Sequence, residues 1–145
     1  MDTNGTQSFP PPCAGFGPAW HTDVEDCVDA VLSRIGKDVI LGLPLGLGKA
    51  NSIANGIYKR AVHDPSVRLK IFTALTLSRP NGKTELEHRF LAPLFDRLAG
   101  NYPELVYVED LRSNRLPPNI AVHEFYYPAG RWLSAPLAQQ NYMSA

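Results

Sequence analysis

Apolar residues recur at helical spacing shortly after residue 20. Thr22 and Glu25 have the spacing of a capping box, which predicts a helix that begins at Thr22. Gly36 is the residue type that commonly ends a helix. The apolar stripe between these signals consists of Val24, Cys27, Val28, Val31, Leu32 and Ile35. The pattern predicts an amphipathic helix that buries this stripe.

Two short apolar runs predict buried strands. Residues 38–43, DVILGL, are bounded by turn residues, and residues 68–77, RLKIFTALTL, carry apolar side chains on both faces. A strand that is apolar on both faces belongs inside a sheet that helices cover. Between the two runs, residues 49–62 predict a second helix, which Asp64 and Pro65 close.

A third helix is predicted after a second capping box, Thr84 and Glu87. We expect Pro93 to kink or split this helix, because proline removes a backbone donor. The residues predicted to point inward are Leu86, Phe90, Leu91, Leu94 and Leu98.

The remaining sequence predicts extended segments at 105–109 and 119–127, and a short helix at 135–142. Helices and strands then alternate along the chain, which favours an α/β layer with a mainly parallel sheet flanked by helices. In such sheets ligands bind at the carboxyl ends of the strands. The glycine-rich turn after the first predicted strand lies at that edge.

Composition indicates the domain organisation, the kinds of partner and the cellular compartment to expect. The 145 residues suit one domain, in which we expect residues 1–21, rich in proline and glycine, to be a disordered leader before a folded part at 22–145. Net charge is +0, which gives no general reason to expect nucleic acid or a membrane surface as a partner. The N-terminus lacks the features of a secretion signal, and we expect a cytoplasmic protein with reduced cysteines.

The glycines after the first predicted strand suggest a phosphate-binding turn. In the P-loop pattern G-x-x-x-x-G-K-[ST], Gly48 and Lys49 would require a glycine at Leu43 and a hydroxyl at Ala50. A dinucleotide-binding fingerprint over the same turn would require glycine or alanine at Asn51. The turn therefore matches neither motif.

A strand, a glycine turn and a helix N-terminus still form a physical anion site. Amides exposed at Gly42, Gly46 and Gly48, with the positive end of the next helix, favour negative charge. The same amides could stabilise an oxyanion that develops at a carbonyl carbon. In a third interpretation the glycines only permit a tight turn, and the residue pattern leaves all three open.

Metal chemistry finds little support in the sequence. His123 and Glu124 resemble the start of the zinc motif H-E-x-x-H, but Tyr127 stands where the second histidine is needed. We therefore expect no metal site.

Five blocks of the sequence, in register from about residue 22 to the end, resemble one protein family. The blocks are ILGLPLGLGKANSIANGIY, RLKIFTALTL, TELEHRFLAPLFDRLAGNYPEL, LPPNIAVHEFYYPAGRWL and AQQNY. They are similar to the N-terminal part of the acetyl-CoA hydrolase/transferase family, relatives of the CoA-transferases. Several blocks in the right order are more specific than the glycine turn alone.

The resemblance implies a CoA-transferase-like α/β domain, incomplete in this chain, and an activity on acyl-CoA thioesters. In the family a glutamate attacks the thioester, a glutamyl-CoA intermediate follows, and the acyl group passes to a carboxylate or to water. Coenzyme A is then substrate or product. The residues carried over as the oxyanion or CoA-pocket turn are Gly42, Gly46, Gly48, Lys49 and Asn51.

The same resemblance places the catalytic glutamate downstream of Ala145, in a C-terminal domain, so no catalytic residue is assigned here. We expect the 145 residues to be the opening portion of a longer enzyme and to be inactive alone. The possibility of a homo-oligomer stays open. The alternative hypothesis is a non-catalytic module that binds CoA or a nucleotide.

Overall fold

The described residues form an α/β structure around a three-stranded parallel sheet. The computed structural model describes residues 19–77, 84–100, 102–126 and 130–140. The strands are β1 (Asp38–Gly42), β2 (Arg68–Ala74) and β3 (Ile120–Phe125), ordered β1-β2-β3. The helices are α1 (Val24–Ile35), α2 (Asn51–His63), α3 (Glu85–Ala99), α4 (Tyr107–Arg112) and α5 (Pro136–Gln140), with a 3-10 turn at Gly46–Gly48. The predicted parallel α/β architecture is confirmed. Most of the predicted leader, residues 1–18, lies outside the described residues.

One face of the sheet forms the core. Val39 pairs with Leu69, and Leu69 pairs with Ile120, so one parity of each strand points to the same side. Helix α2 covers this side, and α1 packs on α2. The buried members of the core on the strands and on α2 are Val39, Leu69, Ile71, Ile120, Val122, Ala54, Ile57, Tyr58 and Ala61.

The opposite face of the sheet is more open than the sequence predicts. Ile40 is 73% exposed, and Phe72 stacks on His123 with ring centroids 4.8 Å apart. The predicted strand 68–77 ends early, because Leu75 adopts a φ of 46° and the chain leaves the sheet. Leu75 and Leu77, predicted to be buried, are therefore exposed.

The N-cap of helix α1 is Asp23, one residue after the predicted cap Thr22. The carboxylate of Asp23 accepts hydrogen bonds from the amides of Glu25 at 2.8 Å and Asp26 at 3.2 Å. The predicted capping box is therefore wrong, since a charged carboxylate binds these amides more strongly than a hydroxyl does. Gly36 ends the helix as predicted, with a φ of 79°.

Helix α3 has the predicted start but not the predicted orientation. Thr84 and Glu87 form the capping box, and the helix runs through Pro93 as one element rather than two. Of the five predicted inward residues only Leu91 is half-buried, whereas Leu86, Phe90, Leu94 and Leu98 are exposed at 77%, 72%, 46% and 74%. Periodicity identifies the helix, but it cannot tell which arc of a broadly apolar helix meets the core.

Helix α4 replaces a predicted extended segment at 105–109. Tyr107, Val108 and Leu111 are buried, and this spacing is helical. The prediction is wrong because residues 105–108, LVYV, form a short continuous apolar run, and periodicity alone cannot distinguish a buried strand from a buried helix segment over such a run. No helix among the described residues is long and apolar enough to cross a membrane.

Candidate functional site

The glycine turn joins β1 to α2 at the carboxyl edge of the sheet. Gly46 has a φ of 56°, a conformation that favours glycine. A Cβ added at Gly42 or Gly46 would meet no described atom within 4 Å, and at Gly48 the nearest atom is in Pro44 at 3.6 Å. Backbone conformation therefore requires glycine at Gly46, while the turn presents open space above Gly42 and Gly46.

The turn presents backbone donors. In the described part of the chain, the amides of Gly46 and Leu47 have no hydrogen-bond acceptor. Helix α2 follows with Ala50 at its N-cap and no side-chain cap. The positive end of α2 and these amides together form a surface suited to an anion or to a polarised carbonyl oxygen.

Lys49 secures the turn instead of projecting from it. Lys49 is only 6% exposed. Its Nζ donates hydrogen bonds to the carbonyl of Pro44 and, at 2.6 Å, to the carbonyl of Ala74. Burial lowers the pKa of Lys49, and the negative charge of Glu124 opposes this. Lys49 therefore ties the glycine turn to the end of β2.

Asn51 fixes the turn from the other side. Its Nδ2 donates to the carbonyl of Pro103, and the Tyr102 hydroxyl lies 3.4 Å from its Oδ1. The same hydroxyl lies 3.2 Å from the carbonyl oxygen of Gly46, so its one proton serves either acceptor. The segment before α4 thus holds the backbone of the turn in place.

A buried carboxylate lies at the end of β3. Glu124 is 5% exposed; its Oε1 accepts from the amide of Thr76 at 2.9 Å, and its Oε2 accepts from Trp132 Nε1 at 3.1 Å. Arg131 Nη1 donates to the carbonyl of Thr76 at 2.5 Å. The chain segments that follow β2 and β3 are therefore joined by polar bonds around one negative charge.

The hydroxyl groups of Thr73, Thr76 and Tyr107 extend the polar cluster that Glu124, Thr76, Arg131 and Trp132 form. The hydroxyls of Thr76 and Tyr107 lie 3.3 Å apart, and burial raises the pKa of Tyr107 to about 12. The fully buried hydroxyl of Thr73 makes no hydrogen bond to any described residue, although it is near enough to Tyr107 to affect that pKa. An unsatisfied buried hydroxyl costs about 1–3 kcal/mol.

Two residues without glycine's freedom adopt left-handed backbone at this edge. Leu75, with a φ of 46°, follows β2, and Tyr126, with a φ of 52°, follows β3. The amide of Leu75 donates to the carbonyl of Tyr126 at 3.1 Å. Strain of this kind concentrates at functional sites, which supports a site at the carboxyl edge.

Sequence reasoning found the turn and missed the cluster beside it. Gly42, Gly46, Gly48, Lys49 and Asn51 all lie in the one turn segment, 42–51. The prediction of an exposed amide at Gly48 is wrong, because this amide donates to the carbonyl of Leu45 at 3.4 Å, and Lys49 and Asn51 have supporting roles. Thr73, Thr76, Arg131 and Trp132 carried no recognised signal, and Glu124 was considered only as part of the zinc motif that Tyr127 excludes. The signal that could have found them is a carboxylate on the apolar parity of β3, since such a carboxylate needs buried donors.

The described residues hold no group of three or more His, Cys, Asp or Glu side chains suited to a metal ion. The polar groups described at this edge include backbone amides and the charges around Glu124. Comparison with family models, with curated proteins and with solved structures gives no match to this chain.

Proposed function

We propose that this chain is the N-terminal part of an acyl-CoA hydrolase or CoA-transferase, and that its glycine turn forms one wall of the thioester pocket. The observation that carries the proposal is the pair of unengaged amides, Gly46 and Leu47, beside the uncapped start of α2. The resemblance of five sequence blocks supplies the substrate class.

In this proposal the turn acts on the thioester oxygen. When a nucleophile attacks the acyl carbon, negative charge moves to that oxygen, and preorganised amides stabilise it. Lys49 and Asn51 keep the amides in position through the carbonyls of Pro44, Ala74 and Pro103. Preorganisation of this kind lowers the barrier because no donor has to move during the reaction.

The nucleophile is proposed to come from outside these residues. Both oxygens of Glu124 already accept hydrogen bonds, and the residue is buried. A downstream glutamate would bond to the acyl carbon as the C–S bond breaks and CoA thiolate leaves. The thiolate would then attack the glutamyl carbonyl of the anhydride and release the acyl group as a carboxylate.

Calorimetry with coenzyme A tests the turn. We expect weak binding to the chain and loss of binding in Gly46→Val, because valine fills the open space over the amides. Gly36→Val is the matched control: Gly36 has a φ of 79° and no described atom within 4 Å of an added Cβ, but it precedes β1, at the amino edge. Equal binding by the two variants, or no binding by the wild type, would contradict the proposal.

A non-catalytic module that binds CoA or a nucleotide is the second candidate. The unengaged amides of Gly46 and Leu47 beside the uncapped start of α2 favour it, because a phosphate can bind at such a turn without any chemistry. Tight binding of coenzyme A by this chain alone would select the module. A thiol-release assay with acetyl-CoA tests for catalysis by this chain alone, and we expect no turnover. Steady turnover that survives Gly46→Val would exclude the assigned role of the turn.

A further inference from the structure

Helix α3 carries an exposed apolar stripe made of Leu86, Phe90, Leu94 and Leu98. These four residues are spaced by four, so they form one continuous ridge along the helix. Leu91 and Phe95 border this stripe along one side of the helix and are partly covered. Contiguous exposed apolar surface of this kind marks an interaction site.

The stripe is symmetric about Ala92. Two copies of α3 that lie antiparallel, with their stripes in contact and crossing at the level of Ala92 along the axis, bring Leu86 level with the partner's Leu98, and Phe90 level with the partner's Leu94. Ridges of residues spaced by four interdigitate in the commonest packing of helices in globular proteins. The same surface therefore fits itself, as a two-fold interface requires.

The charges within the arc of the stripe are also complementary. Glu87 lies in the first turn and Arg97 in the last turn. An antiparallel pair places each Glu87 level with the partner's Arg97, whereas a parallel pair would place like charges together. The antiparallel arrangement also sets the positive end of one helix beside the negative end of the other.

We propose that α3 is a homodimer interface, in which two copies of this chain pair antiparallel across the stripe. This interface is separate from the glycine turn, and it does not depend on the proposed CoA chemistry. A stable dimer buries about 800 Å² per partner, and one helix ridge supplies only part of that area. The dimer is therefore of the weak, concentration-dependent class.

Sedimentation velocity over a concentration series tests the proposal. The wild type shifts from 16.0 kDa toward twice that mass as concentration rises, and Phe90→Glu stays monomeric. Ile40→Glu is the matched control, because Ile40 is as exposed as Phe90 but lies on the sheet. A wild type that stays monomeric at every concentration, or a control that dissociates like Phe90→Glu, overturns the proposal.

Charge reversal tests the antiparallel register. Arg97→Glu alone and Glu87→Lys alone each place like charges together, so each dissociates at least tenfold more readily than the wild type. The unfolding midpoint of Glu87→Lys is measured as well, because this change also removes the carboxylate that accepts from the Thr84 amide. An equimolar mixture of the two variants restores opposite charges at both positions and associates again. A mixture that stays monomeric, while the wild type dimerises, overturns this register.

Discussion

Glu124 shows how one side chain organises the carboxyl edge of the sheet. Its two oxygens accept from Thr76 and Trp132. In Glu124→Gln, an amide NH₂ replaces one of these acceptors and faces a donor. We expect a loss of about 1–3 kcal/mol in the free energy of unfolding, because buried donors are left unsatisfied.

Urea unfolding measures this loss. Glu85→Gln is the control, since Glu85 is exposed in the first turn of α3, and surface changes usually stay within about 0.5 kcal/mol. Equal midpoints for the two variants would show that Glu124 does not hold the loops together.

At the residue scale the sequence predicted the turn because its glycines and Lys49 are adjacent in the chain. Glu124 was not predicted, since its donors Thr76 and Trp132 lie in segments that only the fold brings together. Alternation along β3 shows which residues share a face of the sheet. It does not reveal that hydrogen-bond donors from other segments are available to a carboxylate on the buried face. A long-range polar cluster leaves no local spacing to detect.

Close packing of α1 on α2 depends on Gly56. A Cβ at this position would lie 2.7 Å from Cγ2 of Val28, which is fully buried. Gly56→Ala should gain about 1 kcal/mol in helix propensity. We nevertheless expect the free energy of unfolding to fall by about 1–2 kcal/mol, because overpacking a filled core costs more than the gain in helix propensity.

A double-mutant cycle identifies the cause. Val28→Ala alone destabilises by leaving a cavity, but it should cost less when Gly56→Ala supplies a methyl group to that space. Thermal or urea unfolding of the four proteins gives the coupling. Additive effects would mean that the two side chains do not compete for this space.

Element prediction succeeded where a segment had clear end signals or an apolar run bounded by turn residues. Helix α2 and the three strands were recognised, and the capping box of α3 was located to the residue. Helix α4 was missed because six residues, YVEDLR, are too few to show helical periodicity. The exposed stripe of α3 could not be predicted either, since an apolar pattern does not state which partner covers it.

The acid stability of the whole molecule should depend on Asp64, which links the end of α2 to β2. Hydrogen bonds from Ser66 and then Lys37 lower the pKa of Asp64 to about 2. The unfolded value is about 3.9, so ionised Asp64 stabilises the fold above that pH, and the contribution is lost as pH falls from about 4 to 2.

Asp64→Asn should therefore flatten the fall in unfolding free energy between pH 4 and pH 2, as measured by urea unfolding at each pH. Ser33→Ala, a change at an exposed residue of α1 that carries no ionisable group, is the control and should keep the slope of the wild type. A wild-type slope in Asp64→Asn would assign the acid sensitivity to other groups.

The parallel sheet also has a consequence for biosynthesis. Strand β2 is central in the sheet. It can pair with β1 as soon as α2 and β2 have been translated, but its other edge pairs with β3, which begins only at Ile120. A ribosome-bound chain thus carries β2 with one edge unpaired while α3 and α4 are translated. Unpaired strand edges recruit other chains, so this interval is when a chaperone would most benefit the nascent protein.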